Sequence, residues 1–217
     1  MAERIRRAMQ SPYLPTGLLL AGWLLAALGY WGAWVWAKPA GLRVPGIDLA
    51  EYVKFIAEVR SGQIHLTREL FLLPLAAISL SMSLLAHRRE LKFPGVLRWF
   101  INLLAVPVAL SMLPPAWTPS LLVTPEFVKQ TTAMGVCVVA ALLAYPLFRH
   151  LPLVAAASVN GVLAVLSIVL PISAFLSVRL PLDTIYGHPV SYGSGPILLA
   201  IGLLSVAIAP LLLLRRH

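Results

Sequence analysis

Acid and sulfur are scarce in this chain: 217 residues hold eight Asp or Glu and a single cysteine. Cys137 alone can form no intramolecular disulfide and no cysteine-pair redox motif. Its position in the middle of an apolar run predicts a packed, inert thiol. Charged residues make up 12% of the chain, about half the roughly 25% of ordinary soluble domains, which excludes a soluble globule. The five histidines, His65, His87, His150, His188 and His217, all fall at the ends of apolar stretches or between them. That placement argues against haem held inside a membrane by this chain's own histidines. Ionisable groups are also missing from the middle of the apolar stretches, where their cost normally marks a function. A protonmotive carrier or a path for charged solutes is disfavoured accordingly. No HExxH spacing occurs, and Ser194, in the run Tyr192-Gly193-Ser194-Gly195, has no histidine within a span to act as its partner.

What remains is apolar length. The chain is 59% hydrophobic with a mean hydropathy of +0.87, and six apolar runs approach the length needed to cross about 30 Å of hydrocarbon. They cover about 13–36, 70–86, 94–113, 130–148, 151–178 and 195–214. The fold class expected is therefore an all-α, polytopic membrane bundle of six transmembrane helices in one domain, which satisfies its backbone without water. The first run follows a basic leader and resembles a signal peptide in its flanks. Its length exceeds the 7–15 residues of a signal h-region, so it is read as a span.

The basic residues give the bundle a direction. Arg4, Arg6, Arg7, Arg88, Arg89, Lys92, Arg98, Arg149, Arg215 and Arg216 gather at alternate ends of the runs, with only Glu3 and Glu90 beside them. The other ends carry seven Lys or Arg against six acids. Positive-inside topogenesis then places both termini in the cytoplasm of a cell-membrane protein. The same logic accounts for the net charge of +9: the basic residues are dispersed over helix ends rather than drawn into a stripe, so nucleic acid is not expected as a partner. Trp31, Trp34, Trp36, Trp117, Tyr186 and Tyr192 mark the outer boundary, and Trp99 the inner one.

Inner connections are short and outer ones long. In the first outer segment, Asp48 and Glu51 suit a capping box. Beyond them Leu49, Tyr52, Val53, Ile56 and Val59 fall on one face at 100° per residue, opposite Glu51, Lys54 and Glu58. This predicts an amphipathic interfacial helix over about 49–60. Thr124-Pro125-Glu126 reads as a helix start, and the turn-forming residues of 179–195 predict an irregular ordered loop.

Candidate functional residues are few. Asn102 and Asn160 sit inside spans, where they serve either as a polar pathway or as hydrogen bonds between helices, and the second use is the commoner. His65, Glu69, Asp183 and His188 could form an outer-face carboxylate and imidazole cluster for a metal or for acid–base chemistry, against the plainer reading of a solvated rim. Small residues at spacing four, Gly22 with Ala26, Gly29 with Ala33 and Ala157 with Gly161, permit close helix approach. The function expected is a non-enzymatic membrane subunit, an anchoring or assembly component with protein partners or copies of itself. It is expected to bind no cofactor and no metal. The alternatives are a small permease or transporter component using the asparagines, and a membrane enzyme with its site on the outer face.

Overall fold

A computed structural model describes residues 13–37, 42–114 and 117–215. Expectations for the basic leader, Lys38 and the last two residues lie outside that set. Among the described residues the fold is all-helical apart from three short strands. Helix α1 (Leu14–Trp31) leads into β1 (Ala33–Ala37) and β2 (Leu42–Pro45), then α2 (Gly46–Tyr52), a 3-10 turn at Val53–Phe55, and α3 (Ala57–Arg60). A 3-10 segment, Arg68–Leu72, runs directly into α4 (Leu73–Leu85). There follow α5 (Gly95–Leu110), α6 (Pro119–Leu122), α7 (Val128–Leu142), α8 (Ala144–Phe148), α9 (Leu153–Ser177), α10 (Arg179–Tyr186), β3 (Ser191–Tyr192) and α11 (Gly195–Leu214).

Among the described residues, four segments are long and apolar enough to cross a membrane: Leu14–Trp31, Arg68–Leu85, Leu153–Ser177 and Gly195–Leu214. The third and fourth apolar runs form shorter helices of 16 and 15 residues, or about 24 and 22 Å at 1.5 Å per residue. Helix α7 stops at Leu142 because Pro146, which lacks an N–H, sits in the next turn, and the chain bends at Leu143 before α8 resumes. Several helices begin with proline in the first turn, among them α1 (Pro15), α4 (Pro74) and α11 (Pro196), where the missing N–H costs nothing.

Helix α4 is the centre of the bundle, touching α1, α5, α7 and α9, and α11 joins α1 to α9 on the far side. The seam between α1 and α11 is the tightest. A Cβ added to Gly202 would fall 2.2 Å from the Ala26 nitrogen, and one on Gly29 would fall 2.2 Å from that of Leu199. The small residues Gly22, Ala26 and Gly29 thus do permit close approach. Ala33 lies instead in a strand and Gly161 faces open space.

Three expectations need correction. The first span ends at Trp31 rather than Trp36, because Ala33-Trp34-Val35-Trp36-Ala37 leaves the helix and pairs antiparallel with both β2 and β3. Aromatic and β-branched residues suit a strand, and Trp34 is buried under it, donating its Nε1–H to the Gly29 carbonyl at 3.1 Å and packing edge-on against Phe71 and Phe175. The amphipathic helix expected over about 49–60 is broken at Ile56, whose extended backbone (ψ 124°) separates the 3-10 turn from α3. Its apolar residues are nevertheless inward: Leu49, Val53 and Ile56 are all buried. Asp48 caps nothing, since α2 starts after Pro45 with no side-chain cap. Finally, 179–186 is a helix and not an irregular loop, because Pro181 falls in its first turn and Gly187, at φ 68°, closes it in the left-handed conformation glycine favours.

Candidate functional site

The strongest polar constellation joins three segments at one end of the bundle. Arg68, at the head of α4 and only 7% exposed, sets its guanidinium Nη1 3.1 Å from Glu51 Oε1 and 3.4 Å from Glu126 Oε1, and its Nη2 donates to Gln130 Oε1. Gln130 passes the chain on by donating to the Met112 carbonyl. Lys54 closes the ring with Glu51 at 2.6 Å and Glu126 at 3.0 Å. The Phe127 ring lies under the Arg68 guanidinium, 4.5 Å from centroid to Cζ. Burial would lower the Lys54 pKa, but hydrogen bonds to the two carboxylates outweigh it and the net direction is up, so the ammonium stays charged. Two cations meet two carboxylates, and each is consumed by the other. The arrangement ties α2, the start of α4 and the approach to α7 together.

Each expected site residue has its own environment. Asp183 Oδ1 accepts the Val190 N–H at 2.8 Å across the α10–β3 turn. His188, five residues on, flanks the Tyr186 ring at 6.4 Å. Glu69 borders a crevice of about 140 Å³ with Lys129 and Gln130, and His65 is exposed on the approach to α4. Among the described residues, no three of His, Cys, Asp and Glu stand close enough to hold a metal ion.

Asn102 and Asn160 belong to different helix pairs. Asn102 Nδ2 donates to the Ala141 carbonyl at 2.8 Å, joining α5 to α7 beside the bend at Leu143. Asn160 Nδ2 donates to the Val206 carbonyl at 2.8 Å, joining α9 to α11. Other pairs are fastened in the same manner: Trp23 Nε1 to Ser81 Oγ (α1 to α4, 2.8 Å), Ser79 Oγ to the Ala105 carbonyl (α4 to α5, 2.8 Å) and Ser167 Oγ to the Leu73 carbonyl (α9 to α4, 3.1 Å). The α1–α11 seam relies instead on glycine.

Two features escaped the sequence reading. The Arg68 ring draws on positions 51, 54, 68, 126 and 130, whose separation hides it. The other is a lateral apolar groove of about 430 Å³ between α1 and α5, floored by Ile78 and Met82 of α4. Its wall residues include Leu20, Leu24, Phe100 and Leu104, which single-sequence periodicity does not set apart from the other apolar positions of their runs. Comparisons with family models, with curated proteins and with solved structures gave no match to this chain.

Proposed function

We propose that this chain is a non-enzymatic, multi-pass membrane subunit, an anchoring or assembly component of a larger complex in the cell membrane. It crosses six times, with both termini in the cytoplasm and the 46–60 segment seated at the outer interface. The observation that carries the reading is the use made of interior polar groups: Asn102, Asn160, Ser79, Ser167 and the Trp23–Ser81 pair each fasten two helices together. Side chains spent in this way do not line a path for a solute. On the outer face the charges neutralise one another in a clamp, which favours a fixed surface over a reactive one.

Helices α5 and α7–α8 complete the six crossings. Helix α5 starts just after the basic turn 88–92, and α8 ends at Phe148, beside Arg149, the arrangement that positive-inside topogenesis requires. Their shortness is accommodated by local thinning of the bilayer at modest cost. Cysteine placed at Ser61 is expected to react with an impermeant maleimide on intact cells, and cysteine at Arg149 only after permeabilisation. The opposite pattern overturns the orientation.

For the subunit role, the full chain is purified in a mild detergent and the mass of the particle measured. A stoichiometric second protein, or a defined multiple of this chain, is expected. A lone chain that moves solute across liposomes by itself would replace the reading with a permease.

A further inference from the structure

At the end of the bundle opposite the Arg68 clamp, the turn 87–92, the start of α5 and the α8–α9 junction enclose a polar cavity of about 410 Å³, within the range of small-molecule sites. Arg88, Arg89, Arg98 and Arg149 line it, with Glu90 as the single acid. No ion pair is made by any of these four arginines among the described residues, in contrast to the balanced clamp at the other end. Arg88 is the decisive member. It is 94% buried, with 6% of its surface exposed, and its Nη2 is held on the Pro152 carbonyl at 3.2 Å, while its Nε–H has no partner. His87 also buries an unpartnered Nε2. Burial, together with the Arg98 charge, lowers the His87 pKa, so at neutral pH its ring is uncharged and offers one N–H.

A buried guanidinium with an unused donor is costly unless an anion completes it. Arg98 is positioned by its own Nε–H on the Phe93 carbonyl at 2.8 Å, and Arg149 by Tyr145, whose hydroxyl lies 3.2 Å from Nη1. Both are held by one edge of the fork, which leaves other N–H groups for a ligand. Guanidinium forks bind carboxylate and phosphate alike, but four of them against one acid leave a positive excess that a phosphate dianion offsets more fully than a monoanionic carboxylate.

We infer that this cavity binds a phosphate group. The group comes either from an anionic lipid headgroup, which basic pockets between helices on the cytoplasmic side are suited to hold, or from soluble phosphate. The inference stands apart from the subunit reading, because a subunit with or without partners can carry it.

The test uses the full chain in phosphatidylcholine nanodiscs. Binding is followed by the fluorescence of Trp99, whose ring lies 5.0 Å from that of His87. One arm titrates inorganic phosphate; the other incorporates phosphatidic acid. A saturable change in the first arm assigns soluble phosphate, and a change in the second alone assigns the headgroup; either supports the site. The double variant Arg89→Gln/Arg149→Gln alters exposed rim residues only and should bind about tenfold more weakly, with an unchanged melting temperature. Lys92→Gln removes the same kind of charge from the same end but outside the cavity, and should leave binding unaltered. An equal loss in Lys92→Gln, or no saturable change in either arm, overturns the inference.

Discussion

The side-chain amide of Asn160 donates to the carbonyl of Val206 at 2.8 Å, and that carbonyl is the one Pro210, four residues further along α11, leaves without a helical donor. An asparagine on one helix thus repairs the hydrogen bond that a proline removes from its neighbour. Asn160→Ala is expected to destabilise the protein by about 1 kcal/mol, toward the upper part of the range for interhelical hydrogen bonds. In a Pro210→Ala background, where the substituted residue brings a backbone N–H of its own to the carbonyl, the loss should shrink. A double-mutant cycle in denaturant-titrated detergent micelles measures it; equal losses in both backgrounds would show that the two residues are uncoupled.

Glycine substitutions should change sign with their surroundings. Gly202→Ala places its methyl against the Ala26 backbone and is expected to cost about 3 kcal/mol by forcing α1 and α11 apart. Gly161→Ala, with nothing within 4 Å, should gain up to about 1 kcal/mol from helix propensity. Thermal unfolding of the two purified variants distinguishes them, and a shared sign would refute the seam.

Removing Arg68 leaves Glu51 and Glu126 with Lys54 alone. Because Glu126 is half exposed, water recovers part of the loss, and Arg68→Ala is expected to cost about 2–3 kcal/mol rather than the full penalty of a buried pair. Arg68→Lys keeps the charge but not the fork, and should recover only a fraction. Limited proteolysis between 114 and 128 reports the loosened clamp; unchanged cutting in Arg68→Ala would dismiss it.

Tyr186 in α10 stacks on Tyr52, with ring planes 4° apart. Burial, and then the neighbouring Tyr52, push its pKa up to about 12 from an ordinary 10. Between these values the unfolded chain has lost a proton that the folded chain keeps. The stability this group contributes is therefore full below pH 10 and is lost as pH rises toward 12. Tyr186→Phe should flatten that part of the stability profile and remove one phenolate that titrates near pH 12 from an ultraviolet titration. A titration indistinguishable from that of the parent would contradict it.

How far the sequence disclosed this fold depended on the reach of each signal. Helix starts and ends at 195–214 and 153–177 lay close to the apolar boundaries, because proline and glycine act locally. The strand at 33–37 was hidden, since Trp34, Val35 and Trp36 extend the apolar run of α1 without a change of composition, and only pairing with distant Val44 and Tyr192 separates the two. Helix α10 was misread for the opposite reason: Pro181 and Asp183 look like turn residues, yet one occupies a first helical turn and the other bonds to Val190 beyond the helix end. Arg68 stands in the sequence beside Glu69 at the start of an apolar run. Its partners at 51, 126 and 130 carry no pattern that a single sequence reveals.

The pairing of α1 with α11, and of β1 with β3, has a consequence for biogenesis. Helix α1 is synthesised well before its principal neighbour, α11, so its glycine face waits through the intervening translation without the surface it packs on. The cap over Trp34 cannot close until Gly193 arrives beside Ala33. A chain stalled before residue 195 would therefore leave the glycine face of α1 and the strand over Trp34 without their partners.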